Sequence, residues 1–165
     1  VELNLCRDAE ASGSLEMDST GHVWALETLE TTKALGRLLA QQLPSGSILL
    51  LSGPLGAGKT SLVQGLAEAL GVREPITSPT FALAQHYPQG TPQLVHLDLY
   101  RLEQPASADE LFLQEEEEAR ASMALMAVEW PERLGLNLPE AWRLELRHQD
   151  EGRLAQLTPP RKLST

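Results

Sequence analysis

Apolar residues along this chain follow two rhythms that alternate. From Thr28 to Gln42, Leu29, Leu35, Leu38 and Leu39 recur at helical spacing with Ala34 beside them, and Pro44 and Gly46 end the segment. Ile48 to Leu51 is an unbroken apolar run, as a strand buried on both faces requires. After a glycine-rich turn over 53–58, Leu62, Val63, Leu66, Ala67 and Leu70 line one face of a helix predicted over Lys59 to Leu70, with Gly71 suited to its C-terminal cap. Pro75 to Phe81 reads as loop passing into strand. Short strands are predicted at Leu83 to Tyr87, Leu94 to Leu99 and Leu125 to Val128, with a helix over Pro105 to Arg120 between the last two. Trp142 to Leu146 alternates apolar with charged residues, and Arg153 to Leu157 is its expected hairpin partner. Strands alternating with helices indicate an α/β fold of three layers with a central, mostly parallel sheet.

The flanks follow a different pattern. Residues 1–22 carry scattered acids, Gly13 and Gly21 with little periodicity, and read either as a poorly ordered arm or as an added strand. The folded domain is expected over 23–158, and 159–165 as a loose tail. No linker or internal repeat divides the chain, and 165 residues suit one core.

Composition narrows the function classes. Hydrophobic residues are 42% and charged residues 22%, an ordinary globular balance. No run approaches the roughly 18–20 apolar residues that a membrane helix needs. Val1 to Asp18 lacks the basic and apolar regions of a signal peptide, so a cytoplasmic protein is expected. Cys6 is the single cysteine, which excludes an internal disulfide and a cysteine metal cluster. The net charge of −10 argues against autonomous grip on DNA or RNA, whose phosphates are neutralised by basic surfaces.

The candidate chemistry centres on Gly53-Pro54-Leu55-Gly56-Ala57-Gly58-Lys59-Thr60, which meets every required position of G-x-x-x-x-G-K-[ST]. Glycines let the backbone curl so that successive N–H groups face phosphate oxygens, and the following helix N-terminus adds its positive dipole end. Lys59 supplies a compact cation for the β- and γ-phosphates, and the Thr60 hydroxyl a ligand for Mg²⁺. A buried strand before the motif and an amphipathic helix after it complete the context of a P-loop NTPase fold, and Ser61 continues the helix N-terminus. Asp98 ends the apolar strand Leu94-Val95-His96-Leu97, either holding the metal directly or through water as a Walker-B aspartate does or serving as a surface cap or turn residue. Glu129 follows a second apolar strand in the same kind of position and can polarise water or join the metal shell. Thr77-Ser78-Pro79-Thr80 is either a switch loop near the γ-phosphate or an ordinary turn. His96 shares a face with Asp98, as a packed, hydrogen-bonded histidine or as a site-lining one. Trp130 either closes a core edge or lines the site. The acidic run Glu115 to Glu118 reads as a solvated helix face, with docking onto a basic partner as the alternative.

Taken together, Gly53 to Thr60, Ser78-Pro79-Thr80-Phe81, His96-Leu97-Asp98-Leu99-Tyr100-Arg101-Leu102 and Val128-Glu129-Trp130-Pro131 occur in an order that resembles the TsaE family, formerly YjeE. The resemblance runs from about Thr28 to Leu157. It implies an ATPase of bacterial tRNA threonylcarbamoyladenosine synthesis that works with the TsaD and TsaB proteins and meets tRNA only through them. It also implies ATP and Mg²⁺ as cofactors. Weak hydrolysis in isolation is expected on a separate ground, because the sequence places no obvious arginine finger; Arg101 could supply one in cis or could equally pair with the acidic helix. Gly53, Leu55, Gly56, Ala57, Gly58, Lys59, Thr60 and Ser61 would hold the nucleotide. Asp98 and Glu129 would serve metal and water, and Thr80 would be the switch threonine. Trp130 would lie close to the nucleotide, and Arg153 would be a late basic residue near it. Leu111-Phe112-Leu113-Gln114 running into four glutamates departs from the family's usual glycine and aromatic pair in that helix.

Two other classes compete. A small-molecule or nucleoside kinase needs an acceptor pocket and a basic lid, whereas the segment after Asp98 is rich in acids. A nucleotide-dependent interaction module would bind ATP and a partner without turnover.

Overall fold

The computed structural model describes residues 2–3, 21–78 and 83–161. Its strands are β1 (Glu2–Leu3), β2 (His22–Leu26), β3 (Ile48–Ser52), β4 (Ala84–Tyr87), β5 (Leu94–Asp98), β6 (Leu125–Glu129), β7 (Trp142–Gln149) and β8 (Gly152–Thr158). The helices are α1 (Leu29–Gln42), α2 (Lys59–Leu70) and α3 (Pro105–Ser122), with a short 3-10 turn at Pro131–Arg133. One sheet holds all the strands in the order β1-β2-β8-β7-β3-β6-β5-β4. Its middle, β7-β3-β6-β5, is parallel. The antiparallel pairs are β4 with β5, β7 with β8, and β2 with β8.

The alternation along β3 shows why there are three layers. Leu49 and Leu51 point into a core shared with Leu35 and Leu39 of α1 and with Leu62, Val63 and Leu66 of α2. Ile48 and Leu50 point to the opposite face, into a second core closed by Ala108, Phe112 and Ala119 of α3. A strand apolar on both faces therefore lies between two helical layers. Thr28 caps α1: its hydroxyl accepts from the Thr31 amide, and the Thr31 hydroxyl accepts from the Thr28 amide.

The predicted elements recur with shifted ends. Helix α2 spans the expected residues, with Gly71 as its left-handed cap. Helix α3 continues past Arg120 to Ser122, and β7 continues through Arg147, His148 and Gln149. That polar stretch has no burial signal; its pairing with β8 comes from the hairpin itself. Strand β2 was not expected. It has only five residues, of which Trp24 and Leu26 are buried, too short a pattern to read as alternation. It begins at His22, inside the segment read as an extension, and Glu2–Leu3 pairs beside it as an added strand. The remaining calls on residues 4–20, including Cys6, and on 162–165 lie outside the described residues.

The acidic run does not behave as one solvated face. Helical spacing puts Glu115 on the same side as Phe112 and Ala119, and it is buried, with its carboxylate hydrogen-bonded to the His86 imidazole of β4. Glu116 approaches Arg120 at 3.4 Å, while Glu117 and Glu118 are exposed.

Candidate functional site

The parallel strands β3, β5 and β6 end side by side, which is where open α/β sheets form their ligand crevice. Strand β3 runs into the turn that leads to α2. Gly53 has φ 148°, and a Cβ there would lie 2.5 Å from the Leu146 carbonyl oxygen of β7, so the turn can leave the sheet this closely only without a side chain. Gly58, at φ 102°, delivers the chain into the first turn of α2. Ala57, 1% exposed, packs beneath the turn, and Leu55 at its tip is exposed.

A cleft of about 540 Å³ opens above these strand ends. Its walls include Leu55, Gly56, Gly58, Lys59, Thr60 and Ser61 from the turn and α2, and Asp98, Glu129 and Trp130 from the ends of β5 and β6. The structure thus brings together nearly all the residues singled out from sequence. Gly53 and Ala57 support the turn from below. Arg153, distant in sequence, reaches the same turn from the β7–β8 hairpin and donates to the Gly56 carbonyl at 3.0 Å. Thr80 lies outside the described residues, but Ser78 of the same loop lines the cleft.

Lys59 is largely buried. Its Nζ donates to the carbonyls of Gly53 and Pro54, the latter at 3.1 Å, and sits 4.2 Å from the centre of the Trp130 ring. Burial holds its pKa below the ordinary 10.5, and the negative charges of Glu129, Glu132 and Asp98 oppose that shift. Trp130 follows β6 in the left-handed region, at φ 60° and ψ 51°, a conformation that costs a non-glycine residue energy. Its ring packs against that of Tyr100 at a tilt of 46°, with centres 4.8 Å apart.

Asp98 and Glu129 are register partners on adjacent strands. Asp98 accepts from the Ser78 hydroxyl at 2.8 Å and from the Tyr100 amide at 3.0 Å. Glu129, 3% exposed, meets the fully buried His96 at 2.6 Å. His96 is therefore both packed and attached to the site. The cleft gathers hydroxyl and carboxylate oxygens from Thr60, Ser78, Asp98 and Glu129, a donor set suited to a hard divalent cation. Leu29 and Tyr100 also line the cleft, a role that nothing in their local sequence signals. Tyr100 lies in the quoted family segment, but Leu29 carried only a helix-face signal. Arg101, from the same segment as Tyr100, lines the cleft as well.

The three-layer fold and the Gly53 to Thr60 turn define a P-loop protein. Residues 26–156 match the profile of the threonylcarbamoyl adenosine biosynthesis protein TsaE. The chain is 46% identical over 132 residues to the tRNA threonylcarbamoyladenosine biosynthesis protein TsaE of Nostoc sp., covering 79% of this chain and 81% of that one. It is 45% identical over 135 residues to the TsaE of Mycobacterium bovis, covering 79% and 77%. The crystal structure of Bacillus subtilus YdiB superposes with a TM-score of 0.67 at 28% identity, covering 87% of this chain and 88% of that one. The chain belongs to the TsaE family, whose members take part in tRNA threonylcarbamoyladenosine biosynthesis. Among the described residues, no helix is long and apolar enough to cross a membrane.

Proposed function

We propose that this protein binds ATP with Mg²⁺ in the cleft above β3, β5 and β6 and hydrolyses it in the cytoplasm, in complex with TsaD and TsaB, to support threonylcarbamoyladenosine formation in tRNA. The observation that carries the reading is the convergence on one cleft of the P-loop lysine and threonine with two carboxylates from neighbouring strand ends. Curled amides of the Gly53 to Gly58 turn and the α2 N-terminus offer positive potential to phosphate. Lys59 turns from the Gly53 and Pro54 carbonyls towards the β- and γ-phosphates. Thr60 and Asp98 hold the cation, which when bound neutralises charge on the phosphates. Glu129 orients and polarises the attacking water. Trp130 and Tyr100 form an aromatic wall beside the nucleotide. A net charge of −10 fits a protein that meets tRNA through its partners.

The test is phosphate release from Mg²⁺–ATP by the protein alone and with TsaB and TsaD added, with Lys59→Ala as control. Slow release alone, a rise with the partners and loss in the variant are expected. Phosphate transferred to a small acceptor, with no partner effect, would overturn the reading in favour of a kinase.

A further inference from the structure

His96 is a buried polar side chain beside the cleft. It lies in the middle of β5 at 0% exposure. Across the sheet its register partner is Ala127, and the next same-face position on β6 is Glu129, the partner of Asp98. The imidazole therefore leans past a small residue and places Nε2 2.6 Å from Glu129 Oε2. The other ring nitrogen, Nδ1, is buried and has no hydrogen-bond partner among the described residues.

That asymmetry assigns the direction of the bond. A buried N–H without an acceptor loses a full hydrogen bond, whereas a bare ring nitrogen leaves only a lone pair unused. The proton thus belongs on Nε2, which donates it to the carboxylate, and Nδ1 carries none. Glu129 then has Oε2 engaged within the sheet, leaving Oε1 for the cleft that Glu129 lines. A glutamate has three rotatable side-chain bonds, and this contact removes much of that freedom before any ligand arrives.

We propose that His96 is a positioning residue: through its Nε2–H it fixes the Glu129 carboxylate in the orientation used on the attacking water. The proposal rests on the hydrolytic reading of the cleft and adds a residue that touches neither nucleotide nor water.

Two measurements test it. The first needs no nucleotide. In proton–nitrogen correlation spectra of the whole protein, His96 should show a protonated Nε2 and a bare Nδ1. The Nε2 proton signal should move in Glu129→Gln and stay nearly in place in Asp98→Asn. A proton on Nδ1, or no response to Glu129→Gln, overturns the proposal whether or not the protein hydrolyses ATP. The second is a double-variant cycle under conditions where the wild type turns over. His96→Leu should lower kcat about 10–100-fold, the range for groups that orient a catalytic residue, with KM for ATP changed by less than about threefold, since binding contacts remain. His96→Gln, which returns an N–H donor, should recover most of the loss. In the Glu129→Gln background, His96→Leu should cost little more, because the two act as a unit. Full additivity, or unchanged kcat in His96→Leu, would refute the role. A wild type that never hydrolyses ATP would sink the hydrolytic reading, while the spectra still decide the His96–Glu129 contact.

Discussion

Lys59 shows how a single side chain connects the fold to the proposed chemistry. Its ammonium is held by two carbonyls of its own turn and by the Trp130 face, so the cation is directed at the turn that would cradle an anion. Lys59→Met keeps the length of the side chain and removes the charge. Binding of Mg²⁺–ATP, followed by titration calorimetry, should weaken at least about tenfold, the loss expected for a desolvated charge-assisted contact. Unchanged affinity would remove Lys59 from the phosphate site. Tyr87 offers a residue-scale test of pH dependence away from the cleft. It is 3% exposed, and burial, reinforced by the charge of Glu74, holds its phenol pKa above the ordinary 10.0. The raised value means that the folded state resists ionisation. The resulting stability is complete below pH 10.0 and is lost as pH rises through the folded-state value. Thermal melts should therefore show a drop above pH 10 that is smaller in Tyr87→Phe; equal drops in both proteins would contradict the argument.

Among the elements, the pair α1 and α2 carries the site, because the phosphate turn opens directly into α2. The two helices meet through glycines. A Cβ on Gly65 would lie 2.0 Å from the Lys33 carbonyl oxygen, and one on Gly36 would lie 2.2 Å from that of Leu62. Gly65→Ala must push the helices apart, and a cost of about 1–3 kcal/mol is expected from overpacking. Chemical denaturation should show it as a lower midpoint with an unchanged slope; an unshifted midpoint would mean that the helices adjust freely. Both helices were legible from their apolar spacing, but a mid-helix glycine says only that something approaches closely, not what. The strands under the cleft were legible for a related reason. A run buried on both faces, such as Ile48 to Leu51, stands out, and the acids that end β5 and β6 follow from where the apolar runs stop. Strand β2 and the polar end of β7 were not legible, because pairing with distant strands holds them, and pairing leaves little mark on composition. The Glu115 environment was hidden too: a run of four glutamates looks uniform until helical geometry turns one of them inward towards His86. The His96–Glu129 contact joins positions 33 residues apart, and alternation alone related His96 to Asp98 instead.

For the molecule as a whole, nucleotide binding in the cleft would be coupled to the entire cooperative fold. A ligand that binds only the folded state stabilises it by about 2.7 kcal/mol at a hundred times its Kd. For a chain of 165 residues, each kcal/mol raises Tm by roughly 2–4 °C, so saturating Mg²⁺–ATP should raise it by about 5–10 °C. The dependence on ligand chemistry is what makes the measurement informative. AMP lacks the phosphates that Lys59 and the turn are expected to contact and should give little shift. Chelating Mg²⁺ should reduce the ATP shift, because Asp98 and Glu129 would then face the phosphates without a cation between them. Lys59→Met should lose most of the shift while keeping its own Tm close to that of the wild type. Comparing ATP with GTP in the same melt tests the adenine preference that the family resemblance implies. Free tRNA at physiological salt should leave Tm unchanged, since a surface of net charge −10 repels a polyanion. A shift from tRNA alone would mean that a local basic surface outweighs the overall charge, and that this protein contacts tRNA directly. Equal shifts from AMP and ATP would instead place recognition on the nucleoside, and the P-loop would no longer explain the binding.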